Sequence, residues 1–304
     1  MNPALRPRAD DLLVLLAVAR TGRYTSAAVH LGLDHTTVAR RIAALEGALG
    51  GRVLAQSPAG WELTDLGRSA AESAGRIEAA LSQLDGSDAD APDPISGVIR
   101  MSATDGFSAY IAAPAVAELR LTHPRLTVEI VAATRRAAEH RAGLDLEVVV
   151  GAPQTSRAQA VKLGTYTLGM YAARDYLERT GTPATREELE QHRLVYFVDS
   201  MLQVDALDLP RRLVPHMQDG LTSTNVFVHV EATRAGAGIG LLPCFAADRH
   251  DDLVRLLPSV FAEKLPYYLV ARPESLRLPA VAALAEALHA RTRASKALLD
   301  GVTG

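Results

Sequence analysis

Leu33-Asp34-His35-Thr36-Thr37-Val38-Ala39-Arg40-Arg41-Ile42 decides the fold of the N-terminal part of this chain. Asp34 is suited to cap a helix, because its carboxylate accepts hydrogen bonds from the free N–H groups of a first turn. Val38, Ile42, Leu45 and Leu49 then recur at steps of four, three and four, which puts them on one helical face. The opposite face carries Thr36, Arg40 and Ala43, with Thr37 and Ala44 beside them. A short helix with an aliphatic stripe and a small, polar, cationic outer face fits a DNA major groove. Standing alone it would read as an ordinary surface helix, so its neighbours decide.

Upstream, Leu12, Leu15, Leu16 and Ala19 form the stripe of a first helix that ends at Thr21-Gly22. Thr25 is placed to cap a second helix from Ser26 to Leu31, and Gly32 closes it just before the Asp34 cap. Helix, turn and recognition helix follow in the order a helix-turn-helix requires. Downstream, Arg52-Val53-Leu54 and Trp61-Glu62-Leu63 flank the turn Ser57-Pro58-Ala59-Gly60, which predicts a two-stranded wing.

With these elements in place, the chain resembles the LysR-type bacterial transcription regulators. The resemblance rests on Thr25-Ser26-Ala27-Ala28, Leu31-Gly32-Leu33, Val38-Ala39-Arg40-Arg41-Ile42, Leu45-Glu46, Leu49-Gly50 and Leu63-Thr64-Asp65-Leu66-Gly67. It implies a winged helix-turn-helix over residues 1–63 that binds double-stranded DNA through Thr25, Ser26, His35, Thr36, Thr37, Arg40, Arg41 and Arg52. The DNA-facing positions depart from the usual family pattern. His35, Thr36 and Ala39 stand where Gln, Pro and Ser are common, and Leu54 and Gln56 replace an aromatic and a basic residue. The operator sequence therefore does not transfer.

Residues 64–84 read as one helix in which Ile77, Leu81 and Leu84 are spaced four and three, preceded by Leu66, Ala70 and Ala74. This is the pattern of a short dimerisation seam, with small residues permitting close approach and Glu72 and Arg76 spaced to pair outside it. A helix packed on its own domain is the alternative. Residues 85–96 are acidic and proline-bearing and form a linker.

Beyond the linker, strand and helix patterns alternate. Strands are expected at Val98–Ala103, Leu126–Val131, Leu146–Gly151, Leu168–Ala173, Leu194–Val198, Ile239–Leu242 and Leu265–Val270. Helices are expected at Phe107–Leu121, Arg135–Ala142, Val226–Ala235 and Leu278–Leu298. Such alternation predicts a mostly parallel sheet covered by helices. The family resemblance continues through Gly97-Val98-Ile99-Arg100-Met101, His123-Pro124-Arg125-Leu126, Gly143-Leu144-Asp145-Leu146 and the run Ala235 to Pro243. It implies an α/β effector domain over 97–304, two-lobed like a periplasmic binding protein of type 2. Lobe I takes 97–164 and 263–304, and lobe II takes 165–262, joined by two crossing strands around a ligand cleft.

The expected cleft residues are Ser102, Thr104, Thr134, Ser200 and Asn225, hydroxyl and amide groups on loops at strand ends and helix starts. Asp105, at the first of these loops, would repel an anion. It turns the expectation toward a neutral or amine-bearing effector.

Composition adds bounds. The chain has 304 residues and a net charge near −3. Residues 1–65 hold seven arginines against six acids, so specific DNA binding would lean on placed contacts and on a homodimer or homotetramer rather than a long-range field. The single cysteine, Cys244, allows no intrachain disulfide, which argues against the two-cysteine peroxide sensors of the family, and it reads as a small buried residue. No apolar run reaches the roughly 18 residues of a membrane span, and Asp10 and Asp11 in the first helix do not suit a signal peptide, so a cytoplasmic protein is expected. No histidine pair has metal-motif spacing, and neither a Gly-x-Ser-x-Gly turn nor a P-loop occurs, so no metal, cofactor or catalytic group is assigned. The glycines at 236, 238 and 240 follow a helix and precede a strand, the reverse of a nucleotide fingerprint. Two other classes remain open: a small-molecule-binding or transport-linked protein, and an enzyme using the α/β cleft.

Overall fold

A computed structural model describes residues 6–57, 60–84, 95–132, 144–153, 158–198 and 212–301. The expected helix over 135–142, most of the 85–96 linker, and Thr134 and Ser200 lie outside the described residues. The chain forms two compact units, the first comprising residues 1–93 and the second nearly all the rest.

In the first unit, α1 (Ala9–Thr21), α2 (Tyr24–Leu31) and α3 (His35–Leu49) are each closed by a left-handed glycine, Gly22, Gly32 and Gly50. Only glycine takes this conformation without a Cβ penalty, and the sequence supplies one at each helix end. Val38, Ile42 and Leu45 are buried as their spacing predicts. They meet Leu12, Leu15 and Leu16 of α1 and Ala27 and Ala28 of α2 in one core.

Two boundaries differ from expectation. The α2 helix begins at Tyr24, so Thr25 lies inside its first turn and does not cap it. The wing pairs β1 (Leu54–Ser57) with β2 (Gly60–Leu63), beginning two residues later than Arg52. The reason is that Val53 is already engaged on both sides. Its N–H donates to Glu46 at 2.9 Å, and its carbonyl accepts from the Thr64 N–H at 3.1 Å. The wing is also tied to the turn after α1, since the Trp61 N–H donates to the Gly22 carbonyl at 2.9 Å and the Tyr24 and Trp61 rings stack at 5.0 Å.

The long helix α4 (Asp65–Leu84) gives the clearest departure. Ala70, Ala71 and Ala74 are buried in the core of this same unit, and Ile77 packs against that core. Arg20 of α1 holds Glu78 of α4 through two hydrogen bonds. The small residues thus serve close packing of α4 on its own unit, and Ile77 packs on that core as well. Leu81, one turn further, is 44% exposed.

The second unit is built on one mixed sheet in the order β4-β3-β5-β11-β6-β9-β7-β8, with β10 (Leu253–Leu256) on β6. One end is parallel: β3 (Gly97–Ala103) lies between β4 (Leu126–Ala132) and β5 (Leu146–Val150). The other end is also parallel: β7 (Arg193–Phe197) lies between β8 (Gln218–Ser223) and β9 (Ile239–Pro243). The expectation of a mostly parallel sheet is corrected between them. There β6 (Gln159–Ala173) and β11 (Glu263–Ala271) run antiparallel to each other along nine residue pairs and antiparallel to β5 and β9. A chain that leaves one parallel half and returns to it must cross twice, and the two crossings pair.

The helices Val226–Arg234 and Pro279–Ala294 form close to where they were expected. The glycine run ends the first of them, with Gly236 at φ 77°. A Cβ on Gly238 would stand 2.2 Å from the Arg193 carbonyl oxygen, so close packing of β9 on β7 demands glycine there. The last helix, Lys296–Asp300, lies against β6 and the Cys244–Ala247 turn, although the sequence placed it with lobe I. Cys244 is fully buried beneath it, as expected for an inert thiol, and burial raises its pKa.

Candidate functional site

The face expected to meet DNA in the first unit belongs to α3. Its N-terminus is locked by Asp34, whose carboxylate accepts from the Thr37 N–H at 2.8 Å and from the hydroxyls of Thr36 and Thr37 at 2.5 and 2.7 Å. Those hydrogen bonds hold the Asp34 carboxyl far below the usual carboxylate range. His35, Thr36 and Arg40 stand exposed on one side of the helix, with Thr37 half-buried between them. Arg40 has no ion pair among the described residues. Arg41 differs, because its guanidinium lies 3.6 and 3.7 Å from Asp10 and Asp11 of α1. These contacts link α3 to α1. Thr25, Ser26 and Arg52 are exposed.

The second unit holds a small cleft lined, among the described residues, by thirteen that include Thr104, Asp105, Val150, Tyr166, Phe197 and Tyr267. Thr104, Val150, Phe197, Thr224 and Pro243 come from the carboxyl ends of β3, β5, β7, β8 and β9, the side of a parallel sheet on which ligands bind. Tyr166 and Tyr267 of the crossing strands form the floor, stacked at 4.6 Å. Burial drives both phenols above their ordinary pKa.

Of the expected effector residues, Thr104 lines the cleft, at the start of a helical stretch that runs Asp105–Phe107, through a π turn at Ser108–Ala112, to Ala113–Thr122. Ser102 does not line it. It sits one residue out of phase with core-facing Met101 and Ala103, and strand alternation sends it to the other side of the sheet, where it is buried. Asn225 does not line it either. Its side-chain oxygen accepts from the N–H groups of Phe227 and Val228 at 2.8 and 3.4 Å and caps the Val226–Arg234 helix. Thr224 takes its place in the lining.

Asp105, expected to repel an anion, lines the cleft with its carboxylate half-buried, together with Val226 at the start of the facing helix. Burial raises its pKa. The aromatic lining was also missed, because strand-embedded Tyr166, Phe197 and Tyr267 look like ordinary core until the crossing strands bring them together.

A winged recognition helix and a two-lobed receptor sheet in one chain define the class of ligand-responsive DNA-binding transcription regulators. Comparison with known families places it within that class. Residues 9–68 match the model of the bacterial regulatory helix-turn-helix proteins of the LysR family, and residues 92–293 match that of the LysR substrate binding domain. This chain belongs to the LysR family: it is a DNA-binding transcriptional regulator with an effector-binding domain. It is 25% identical over 277 residues to an HTH-type transcriptional regulator of Haemophilus influenzae, covering 89% of this chain and 95% of that one. To the transcriptional activator TtdR of Escherichia coli it is 28% identical over 186 residues, or 61% of this chain and 60% of the other. Among solved structures its fold is similar to full-length OxyR C199D from Pseudomonas aeruginosa (TM-score 0.68, 15% identity, 92% and 94% covered). It is also similar to the Vibrio cholerae activator AphB (TM-score 0.56, 22% identity, 92% and 98% covered). No helix among the described residues is long and apolar enough to cross a membrane.

Proposed function

We propose that this regulator works in the cytoplasm as a homo-oligomer on a two-half-site operator, without catalytic activity, and that its effector seats in the cleft beside Thr104. The observation that carries the effector site is the convergence of five strand ends and two helix starts on one aromatic-floored cavity. Among the described residues its lining has one carboxylate and no histidine, cysteine or lysine beside it, which supports a receptor rather than an enzyme. The exposed face of α3 supports a regulator rather than a transport-linked binding protein. The test is a footprint on the DNA upstream of the protein's own gene, repeated with a panel of metabolites.

Two variants refine the reading. Thr104→Val removes one hydroxyl from the cleft and is expected to weaken the effector response several-fold, the effect of losing a hydrogen bond worth about 1 kcal/mol. Operator affinity without effector should be unchanged. An identical dose response would remove Thr104 from the site. Leu81 is the exposed apolar residue at the far end of α4 and is the part of the expected seam that the unit's own core does not absorb. Leu81→Asp is expected to lower the particle mass by light scattering at low micromolar concentration, since symmetry would bring two carboxylates together. An unchanged mass would place the oligomer contact elsewhere.

A further inference from the structure

Among the described residues one charged group lines the aromatic cleft, and that charge is negative. Among the described residues no lysine, arginine or histidine lines it. The start of the nine-residue Val226–Arg234 helix, where an anionic ligand would be held, shares the cleft with the chain's own Asp105. A carboxylate ligand would therefore meet a like charge in the same cleft.

An organic cation meets the opposite conditions. The Asp105 carboxylate is half-buried in the cleft, and no cation lines the cleft with it among the described residues. The same cleft is lined by the rings of Phe197, Phe245, Tyr166 and Tyr267. Aromatic faces attract an ammonium group and bury an apolar body equally well. The cleft is closed tightly on this side: a Cβ on Gly106 would lie 3.1 Å from Phe245 and 3.7 Å from Val226, so the Asp105 loop and the facing helix already touch. A ligand that pairs with Asp105 lies beside this contact, and its binding is thereby coupled to it.

We propose that the effector is an amine with an aromatic or aliphatic body, its ammonium paired with Asp105 and its apolar part laid against Tyr166, Phe197, Phe245 and Tyr267. This rests on the cleft being the effector site. The experiment is isothermal titration calorimetry on the full chain with two probes of matched size and opposite charge, 2-phenylethylamine and 3-phenylpropionate. The amine is expected to bind the wild type and the carboxylate to bind at least about tenfold more weakly, as for one ion pair gained or opposed. Asp105→Asn, which keeps the size of the side chain and removes its charge, is expected to weaken the amine about tenfold while circular dichroism stays unchanged. Equal or tighter binding of the carboxylate to the wild type overturns the proposal, as does amine affinity unaffected by Asp105→Asn, or no amine binding at millimolar concentration. Phe197→Ala separates the two levels. If it abolishes binding of whichever probe is taken up, the cleft reading stands even when the cation proposal falls. If Phe197→Ala and Asp105→Asn both leave binding untouched, the cleft reading falls with it.

Discussion

Gly67→Ala is expected to destabilise the winged unit by about 3 kcal/mol or more, the upper end of overpacking costs. A Cβ at position 67 would stand 1.9 Å from the Val53 carbonyl oxygen, a backbone atom that cannot swing aside. That carbonyl is also fixed by the Thr64 N–H, and the Gly67 N–H is bound to the Thr64 hydroxyl at 3.0 Å. Helix propensity alone would favour alanine by about 1 kcal/mol, so the sign of the result decides which effect dominates. Gly47→Ala is the control, since Gly47 lies within α3 with nothing within 4 Å of its added Cβ, and it should be neutral or stabilising. Differential scanning calorimetry of the two variants gives the answer. A Gly67→Ala protein that melts like wild type would mean that α4 does not start against the wing.

Arg40→Ala is expected to leave the melting profile unchanged while weakening operator binding by about 1–3 kcal/mol per recognition helix, the worth of a bidentate base contact. Two helices on one operator would compound the loss. Arg40 is exposed on the outer side of α3, so removing it breaks nothing inside the protein. Arg41→Ala should behave differently, with a modest loss of stability from the missing contacts to Asp10 and Asp11 and a smaller loss of affinity. Fluorescence anisotropy at fixed salt distinguishes them, because phosphate contacts alone would show equally on unrelated DNA. Wild-type affinity in Arg40→Ala would remove α3 from the groove.

What the sequence made readable, and what it concealed, follow from the range of the interactions involved. The α3 stripe, the Asp34 cap and the glycine helix ends are local, set by residues three or four apart, and they formed where their spacing predicted. Leu146 to Val150 was legible as a buried strand because both its faces are covered. The errors lie where a residue type serves two purposes. Small alanines on α4 permit close approach to any helix, and nothing local says that α1 is the one. An asparagine before a helix can cap it or face a ligand, and the cap won at Asn225. Strands β8 and β10 lack a strong apolar pattern and exist because a neighbour supplies their hydrogen bonds. Asp105 and Val226 line one cleft although they are 121 positions apart in the chain, and no periodicity encodes such a meeting.

The pairing of β11 with β5 and β6 also sets an order of events while the chain is being made. The winged unit has all its helices and strands once Leu84 has emerged. The sheet of the second unit lacks its centre until Ala271 is synthesised, because β11 is inserted between strands that precede it by about a hundred residues. At a synthesis rate of about 5–20 residues per second, roughly ten to forty seconds separate the two. Throughout that interval the nascent polypeptide carries a finished reading head ahead of an unfinished receptor. The apolar edge of β5 stays open, a pairing template that a ribosome-associated chaperone would have to shield until the last strand arrives.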